Sequence, residues 1–575
     1  MYKRREGGRM AILGNYLYWD GGKVSRCRNN KCPSGDASEP VNGTMSIPLN
    51  TDWSNSTVVF NKLKYPNGMP RSSWFSLWPD EKSGTMHRWG GERITLKGNK
   101  SVEEGDQTPM WMFKADGNGG GEWSIQKPTD GDQFQDGLDR NFNGAGAVCG
   151  GKGYYLGGSV TSKSNYDPNN AGKSKSYSAP SGLLKYGLSD NKWEGNISST
   201  AAFPELGKAK YGQAVCLEGF SKKPLVMFLG GATTNNDKDW TEVGFDSVAL
   251  FDPSTDKWHK QNTTAMLGSI PQPRYQFCSV GARGKNNTYD IFVYGGRTRS
   301  EDTSAYGDIW VLSLPGFVWT TVTNSNKGAP RWGHQCAVAG KSQMITMGGV
   351  SARKANTWKD DPWKEGLGVY DMVDLSWRSN YSASAGDYDT PQAFKAWYQQ
   401  GGEAQWSSDE LKALFATGSL ALSADNVSSS PNNTNSDNTT EGTAGSDGPN
   451  VPAIVGGVVG GVIFLALAGA AIWFLLTQKK RLHSHSRLTE ISGSEGGYNT
   501  SGYELNSSTM STPSLGMLSG KPRDSRLELD GVTLRAPSSR GFTLPNSWTW
   551  SWVPSVRPKI ASPAFPPSPA ELNGI

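Results

Sequence analysis

The first 380 or so residues alternate between short apolar runs and glycine-rich breaks, the pattern of strands separated by turns rather than of helices. The clearest runs, YYLGG, LVMFLGG, IFVYGG and MITMGG, each end in a glycine pair. Such pairs recur at Gly21-Gly22, Gly90-Gly91, Gly157-Gly158, Gly230-Gly231, Gly295-Gly296 and Gly348-Gly349. One tryptophan follows each pair in a second strand pattern, at Trp53, Trp123, Trp193, Trp258, Trp319 and Trp377, 24 to 36 residues after the first glycine. A short strand opens each unit, as in GAVCGGKGYYLGG, GQAVCLEGF, YQFCSVGARG and GHQCAVAGK, and pairs such as SVALFDPSTDKWHKQ or IWVLSLPGFVWTTV close it. A unit of this size cannot bury its own faces, so copies must stack, and four strands per unit arranged radially make a propeller blade.

These residues carry a resemblance to the kelch-repeat family over residues 10 to about 380, and more narrowly to fungal single-pass membrane kelch proteins of the cell-wall-anchored type. The resemblance implies an all-β, kelch-type β-propeller of about six blades over residues 1–385. In that family the diglycine ends the second strand of each blade, and the tryptophan packs between neighbouring blades. After the propeller, residues 386–417 hold TPQAFKAWYQQ and SSDELKALF, which predict two short amphipathic helices. Thr390 with Pro391 starts the first, Ser407 with Glu410 caps the second, and Phe394, Trp397, Tyr398, Leu411, Leu414 and Phe415 face the propeller.

From Ala453 to Leu476 the chain is uncharged and apolar, longer than the roughly 20 residues a helix needs to cross the hydrocarbon core. A transmembrane helix is therefore predicted over residues 453–477. No Lys or Arg lies between Lys412 and this span, whereas Lys479, Lys480, Arg481 and Arg487 follow it, which places the tail in the cytosol and the head outside. The expected location is the plasma membrane or another secretory-pathway membrane. Gly456-x-x-x-Gly460 and Gly457-x-x-x-Gly461 allow a transmembrane homodimer. Glycosylation sequons stand at Asn42, Asn55, Asn99, Asn196, Asn262, Asn286, Asn380, Asn426, Asn432 and Asn438, the last three in a Ser/Thr/Asn-rich stalk over 418–452. MYKRREGGRMAILGNYLYWDGG lacks the form of a cleavable leader, so either the start lies upstream of Met1, the favoured expectation, or the internal span exports the head unaided. Residues 478–575 predict a disordered cytoplasmic tail, with P-x-x-P spacing at Pro563, Pro566 and Pro569 suited to an SH3 partner. WTWSW at Trp548 to Trp552 is unusual in such a tail, and reads either as a docking motif or as unspliced intron.

Composition narrows the chemistry. The 575 residues include 71 Gly and 22 Trp, and a net charge of +5 spread along the chain argues against nucleic acid as a partner. All six cysteines precede the apolar span, as an oxidising compartment for the head requires. Cys27 and Cys32 are expected to close a small disulfide loop, whereas Cys149, Cys216, Cys278 and Cys336, taken as equivalent positions of four units, are expected to be buried free thiols. Arg71, Arg274 and Arg331 each follow a proline at the entry to a first strand, and are the candidates for a positive channel-mouth binding site. The alternative is arginines that bond to blade carbonyls. Copper-radical chemistry of the galactose-oxidase kind needs two His and two Tyr ligands, yet before the span only His87, His259 and His334 occur, in three different units. No phosphate loop, zinc helix or nucleophile elbow is present. No cofactor, metal or catalytic residue is expected, and the chain reads as a non-enzymatic surface receptor or scaffold for a protein or glycan. The competing classes are a carbohydrate-active secretory enzyme and a cytoplasmic kelch polarity scaffold.

Overall fold

The computed structural model describes most of residues 2–415. Residues 27–37, 95–109, 130–137, 165–177, 300–304, 323–327, 352–359, some shorter stretches and everything from 416 onward lie outside it. The chain divides into two units, Met1–Ser436 and Asp437–Ile575, and every described residue belongs to the first. The predicted Cys27–Cys32 bond, the sequons at Asn99, Asn426, Asn432 and Asn438, the stalk, the Ala453–Leu476 span and the tail all fall outside the described residues. Among those described, no helix is long and apolar enough to cross a membrane.

Six antiparallel blades of four strands follow one another along the chain, the fifth extended by Thr264–Ala265 in parallel pairing and the sixth joined through Tyr2–Glu6 into a seven-stranded sheet. Blade 1 is Arg9–Leu13, Tyr16–Asp20, Gly43–Pro48 and Asn61–Lys64, and blade 2 is Ser76–Asp80, Thr85–Trp89, Met110–Ala115 and Gly121–Gln126. Blade 3 runs Ala145–Cys149, Lys152–Leu156, Leu183–Gly187 and Lys192–Ile197, and blade 4 Gln213–Cys216, Val226–Leu229, Ser247–Asp252 and Lys257–Asn262. Blade 5 is Cys278–Arg283, Tyr289–Tyr294, Ile309–Leu314 and Val318–Thr321, and blade 6 Trp332–Ala339, Gln343–Val350, Leu367–Asp371 and Ser376–Arg378. The first strand of each blade touches the first strands of the blades on either side, and that of blade 6 meets that of blade 1. The sheets thus close into a six-bladed β-propeller whose first strands line a central channel.

The diglycines stand where expected, at the end of each second strand, and all twelve glycines have φ between +53° and +101°. Their purpose is a contact between blades. The N–H of the second glycine donates to a carbonyl on the chain entering the next blade: Gly22 to Ser72, Gly91 to Asn141, Gly158 to Ala209, Gly231 to Arg274 and Gly296 to Arg331, at 2.7–3.0 Å. At the sixth junction Gly349 pairs with Arg5. The first glycine leaves room for that incoming carbonyl, since a Cβ on Gly157 would lie 2.1 Å from the Ala209 oxygen.

The predicted tryptophans also wedge between blades. Trp123 of blade 2 donates from its indole to the Thr44 hydroxyl of blade 1 at 2.9 Å, and Trp319 of blade 5 donates to the Phe245 carbonyl of blade 4 at 3.0 Å. Trp53 differs from the rest. It lies in a two-residue strand, Trp53–Ser54, paired with Asn380–Tyr381, and its ring stacks on Tyr381 at 4.9 Å. It therefore closes the junction between blades 1 and 6. Tyr2–Glu6 reinforces that junction, with Arg4 and Arg5 reaching Asp361 and Glu365 at 3.1 Å each.

Two expectations about the cysteines are overturned. Cys149 bonds to Cys216 and Cys278 to Cys336, each pair joining first strands of adjacent blades, 3 to 4 and 5 to 6. First strands converge on the channel, which brings the Cα atoms to 5.3 and 5.7 Å, well inside bonding reach. Nor are the four positions equivalent. Cys149 and Cys216 stand opposite Lys152 and Val226 at the far end of their strands, whereas Cys278 and Cys336 stand opposite Tyr294 and Thr346 near the diglycines. By the loop-entropy model, closing 67 and 58 residues contributes about 4 kcal/mol per bond.

The two helices, α1 (Gln392–Gln399) and α2 (Asp409–Phe415), pack on the opposite face, against blades 4 to 6. Phe394, Tyr398, Leu411 and Phe415 are buried, as their spacing predicted, with Trp397 and Leu414 half-buried. The caps differ from expectation. Ser408, not Ser407, accepts from Leu411 N–H at 3.2 Å, and Ser407 instead accepts from Asn262 N–H. Glu410 pairs with Lys257 at 3.0 Å, and Thr390 donates to Asp290.

Gly157→Ala and Gly151→Ala separate the two roles of glycine. Both residues have positive φ, 59° and 74°, but a Cβ at Gly151 meets nothing within 4 Å. Gly151→Ala should cost about 1 kcal/mol, the left-handed penalty alone, and Gly157→Ala about 3 kcal/mol or more because blades 3 and 4 must part. Thermal unfolding of both variants checks the ordering.

Candidate functional site at the channel mouth

Two residues after the residue that meets the diglycine lies a position where the backbone turns left-handed in all six blades: Gly7, Trp74, Asn143, Tyr211, Gln276 and Gly333, with φ from 56° to 71°. Their peptides join in a closed cycle. Trp74 N–H donates to Gly7, Asn143 to Trp74, Tyr211 to Asn143, Gln276 to Tyr211, Gly333 to Gln276 and Gly7 to Gly333, at 2.7–3.3 Å. A left-handed conformation costs an L-residue roughly 1–2 kcal/mol, and is unusual for residues as bulky as Trp and Tyr. Here the cycle over-determines it, because each peptide is held by both neighbours.

The cycle sets side chains around one mouth of the channel. Between blades 4 and 6 they form a row in which aromatic and cationic groups alternate. The Lys210 ammonium lies 3.3 Å from the Trp240 ring centre and 5.2 Å from Tyr211, which is 5.4 Å from Tyr275. The Arg297 guanidinium lies 5.0 Å from Tyr275 and 4.0 Å from Trp332, and donates to the Gln276 side-chain oxygen at 3.1 Å. Tyr211, Trp240 and Arg297 are half-buried, so the row is partly open.

None of the three arginines singled out in the sequence belongs to this row. Arg274 is fully buried, donates to the Gly295 carbonyl at 3.1 Å, and forks onto Asp308 at 2.6 and 3.1 Å, its guanidinium 4.0 Å from the Tyr306 ring. Arg331 repeats the arrangement one blade on, with Gly348, Asp361 and Trp363. Both bond to blade carbonyls and neither is offered to a ligand. Arg71, half-buried, is one residue out of step: the equivalent of Arg274 and Arg331 in blade 2 is Ser72, and the third equivalent arginine is Arg5. In blade 3 the same position holds Asn141, whose amide donates to Gly157 at 2.8 Å. In blades 3, 5 and 6 the position thus supplies a donor to the first glycine's carbonyl, whereas blade 4 has Ala209 there, with no donor to offer.

The histidines do not converge. His87 is on the second strand of blade 2, His259 on the fourth of blade 4 and His334 at the first of blade 6. Burial lowers the His87 pKa to about 4, and burial, then the nearby Arg331 charge, holds His334 well below 6.5. Cys278, His334 and Cys336 bring their ligand atoms within 4.8 Å of one another, but the two sulfurs are joined to each other and offer no thiolate. Of the described sequons, Asn42, Asn196, Asn262 and Asn380 are exposed, and Asn55 and Asn286 half-buried.

Inside the cycle the channel widens into a cavity of about 150 Å³, lined among others by Arg9, Ser76, Tyr155, Gln213, Ser279 and Gln335. Arg9 is half-buried in the channel, and desolvation lowers its pKa to about 10, against an opposing effect of Tyr155, so it stays cationic at neutral pH. Sequence reasoning passed over it, because Arg9 follows a glycine in a polar N-terminal stretch with no proline to mark it.

If Arg274 and Arg331 are struts, Asp361→Asn should act on stability. Asp361 accepts from both Arg4 and Arg331 with no exposed surface, so neutralising it leaves two buried cations short of a counter-charge, at a cost of about 3–5 kcal/mol. Denaturant unfolding measures it, with unchanged stability counting against the strut.

Residues 212–399 match the family model described as the KLHDC2/KLHL20/DRC7 Kelch-repeats domain. The chain is also similar to a kelch repeat-containing protein of Arthroderma benhamiae, 26% identical over 547 residues, covering 84% of this chain and 76% of that protein. The six diglycine-stitched blades, the matched domain and this relative together support the assignment of the chain to the kelch-repeat proteins.

Proposed function

We propose that the chain is a non-enzymatic binding module of the cell surface, whose propeller head takes a protein or glycan ligand at the channel mouth. The observation that carries this reading is the row Trp240, Lys210, Tyr211, Tyr275, Arg297 and Trp332. Aromatic and arginine side chains of this kind concentrate binding energy, and a rigid backbone beneath them lowers the entropy lost on association. The placement of His87, His259 and His334 in three different blades favours this reading over copper-radical chemistry.

Placement outside the cytoplasm draws on two independent features. The disulfides Cys149–Cys216 and Cys278–Cys336 suit an oxidising compartment, and the described sequons are accessible. Both weigh against a cytoplasmic scaffold. The apolar sequence Ala453–Leu476 supplies the tether in this reading, with the head outside and the tail in the cytosol.

Screening the intact chain against a glycan array and a library of secreted proteins should give a ligand whose affinity falls at least tenfold in Tyr211→Ala and Arg297→Ala. A ligand bound equally well by both variants would move the site elsewhere. Glycosidase treatment of the native protein should increase its mobility on a gel, and an unshifted band would contradict the outside placement.

A further inference from the structure

We propose that the channel cavity inside the six-peptide cycle is a binding site for one small oxyanion or carboxylate, held by the guanidinium of Arg9. This is independent of whatever docks on the aromatic row outside. The fully buried arginines each have a carboxylate. Arg4 and Arg331 have Asp361, Arg5 has Glu365, Arg88 has Asp20 and Arg274 has Asp308, all at 2.6–3.1 Å. Arg9 has none among the described residues. It donates only to the carbonyl of its neighbour Gly8, at 3.2 Å, and lies 5.9 Å from the Trp74 ring centre. A cation partly withdrawn from water in a channel with no counter-charge gains from an anion that enters beside it.

The rest of the wall suits such a guest. Ser76, Tyr155, Gln213, Ser279 and Gln335 surround the cavity with hydroxyl and amide groups and present no carboxylate. The guanidinium fork matches two oxygens of a carboxylate, sulfate or phosphate. Size limits the guest. At roughly 30 Å³ per water, the 150 Å³ space holds about five waters, the scale of acetate or sulfate and not of a sugar or a peptide. The entrance is similarly narrow. Residues linked across a backbone hydrogen bond have Cα atoms about 5 Å apart, so a hexagon of six is roughly 10 Å between opposite Cα atoms, less the atoms themselves.

Titration calorimetry on the intact chain, with sodium sulfate, phosphate and acetate against chloride at matched ionic strength, tests the site. The expected result is saturable 1:1 binding of an oxyanion, weakened at least tenfold in Arg9→Met and unchanged in Arg299→Met. Equal binding by wild type and Arg9→Met, or no saturable heat, overturns it. Should Arg9→Met fail to fold, anomalous diffraction from wild-type crystals soaked in selenate decides. A selenium peak beside the Arg9 guanidinium supports the site, and water alone there at saturating selenate refutes it. A peptide carboxylate that displaces acetate from Arg9 would show that the guest is a peptide end, and would also overturn the small-anion reading.

Discussion

Six hydrogen bonds between six peptides hold this molecule in register. Each left-handed residue at the mouth donates to the blade before it and accepts from the blade after it, so the cycle closes only when all six blades are in place. The diglycine stitches form a second, wider set around the first. A β-sheet normally satisfies its edges by pairing with another strand. Here the four-stranded blades leave their edges short, and neighbouring blades are joined at the channel end by individual peptides. Side chains then fill what is left: indoles between blades, buried arginine–carboxylate pairs across two junctions, and cystines across two more.

This division of labour explains what could be read from the sequence. Glycine is the residue that both tolerates positive φ and admits a carbonyl where a Cβ would stand, so the stitches left twelve visible marks. The downstream tryptophans were visible for a similar reason, each being too large for any site but a cleft between blades. The cycle itself left no mark. Its six positions hold Gly, Trp, Asn, Tyr, Gln and Gly, because the requirement falls on the backbone and the neighbours enforce it. Arg71 illustrates the resulting hazard, since a proline followed by arginine suggested a repeat position that the hydrogen bonds place one residue later, at Ser72. The cysteines failed for a different reason. Their partners are separated by 67 and 58 residues, and only the convergence of first strands on the channel brings them together.

The two faces of the propeller serve different ends. On one, α1 and α2 cover blades 4 to 6 and bury Phe394, Tyr398, Leu411 and Phe415, which seals apolar surface. On the other, the cycle carries aromatic and cationic side chains on an unyielding base, with a polar cavity directly behind. A binding surface built on peptides that are held from both sides can keep half-open aromatic groups in position without a ligand. The paired arginines buried beneath it contribute to the frame, while Arg9, alone in the channel, keeps its charge available.

The account stands or falls on the cycle acting as one unit. Amide hydrogen exchange of the intact protein, resolved at Gly7, Trp74, Asn143, Tyr211, Gln276 and Gly333, measures this directly. The six amides should be among the slowest in the propeller and should share one opening free energy, since releasing any of them opens the ring. Rapid exchange at these positions, or protection that differs widely from blade to blade, would contradict a closed cycle.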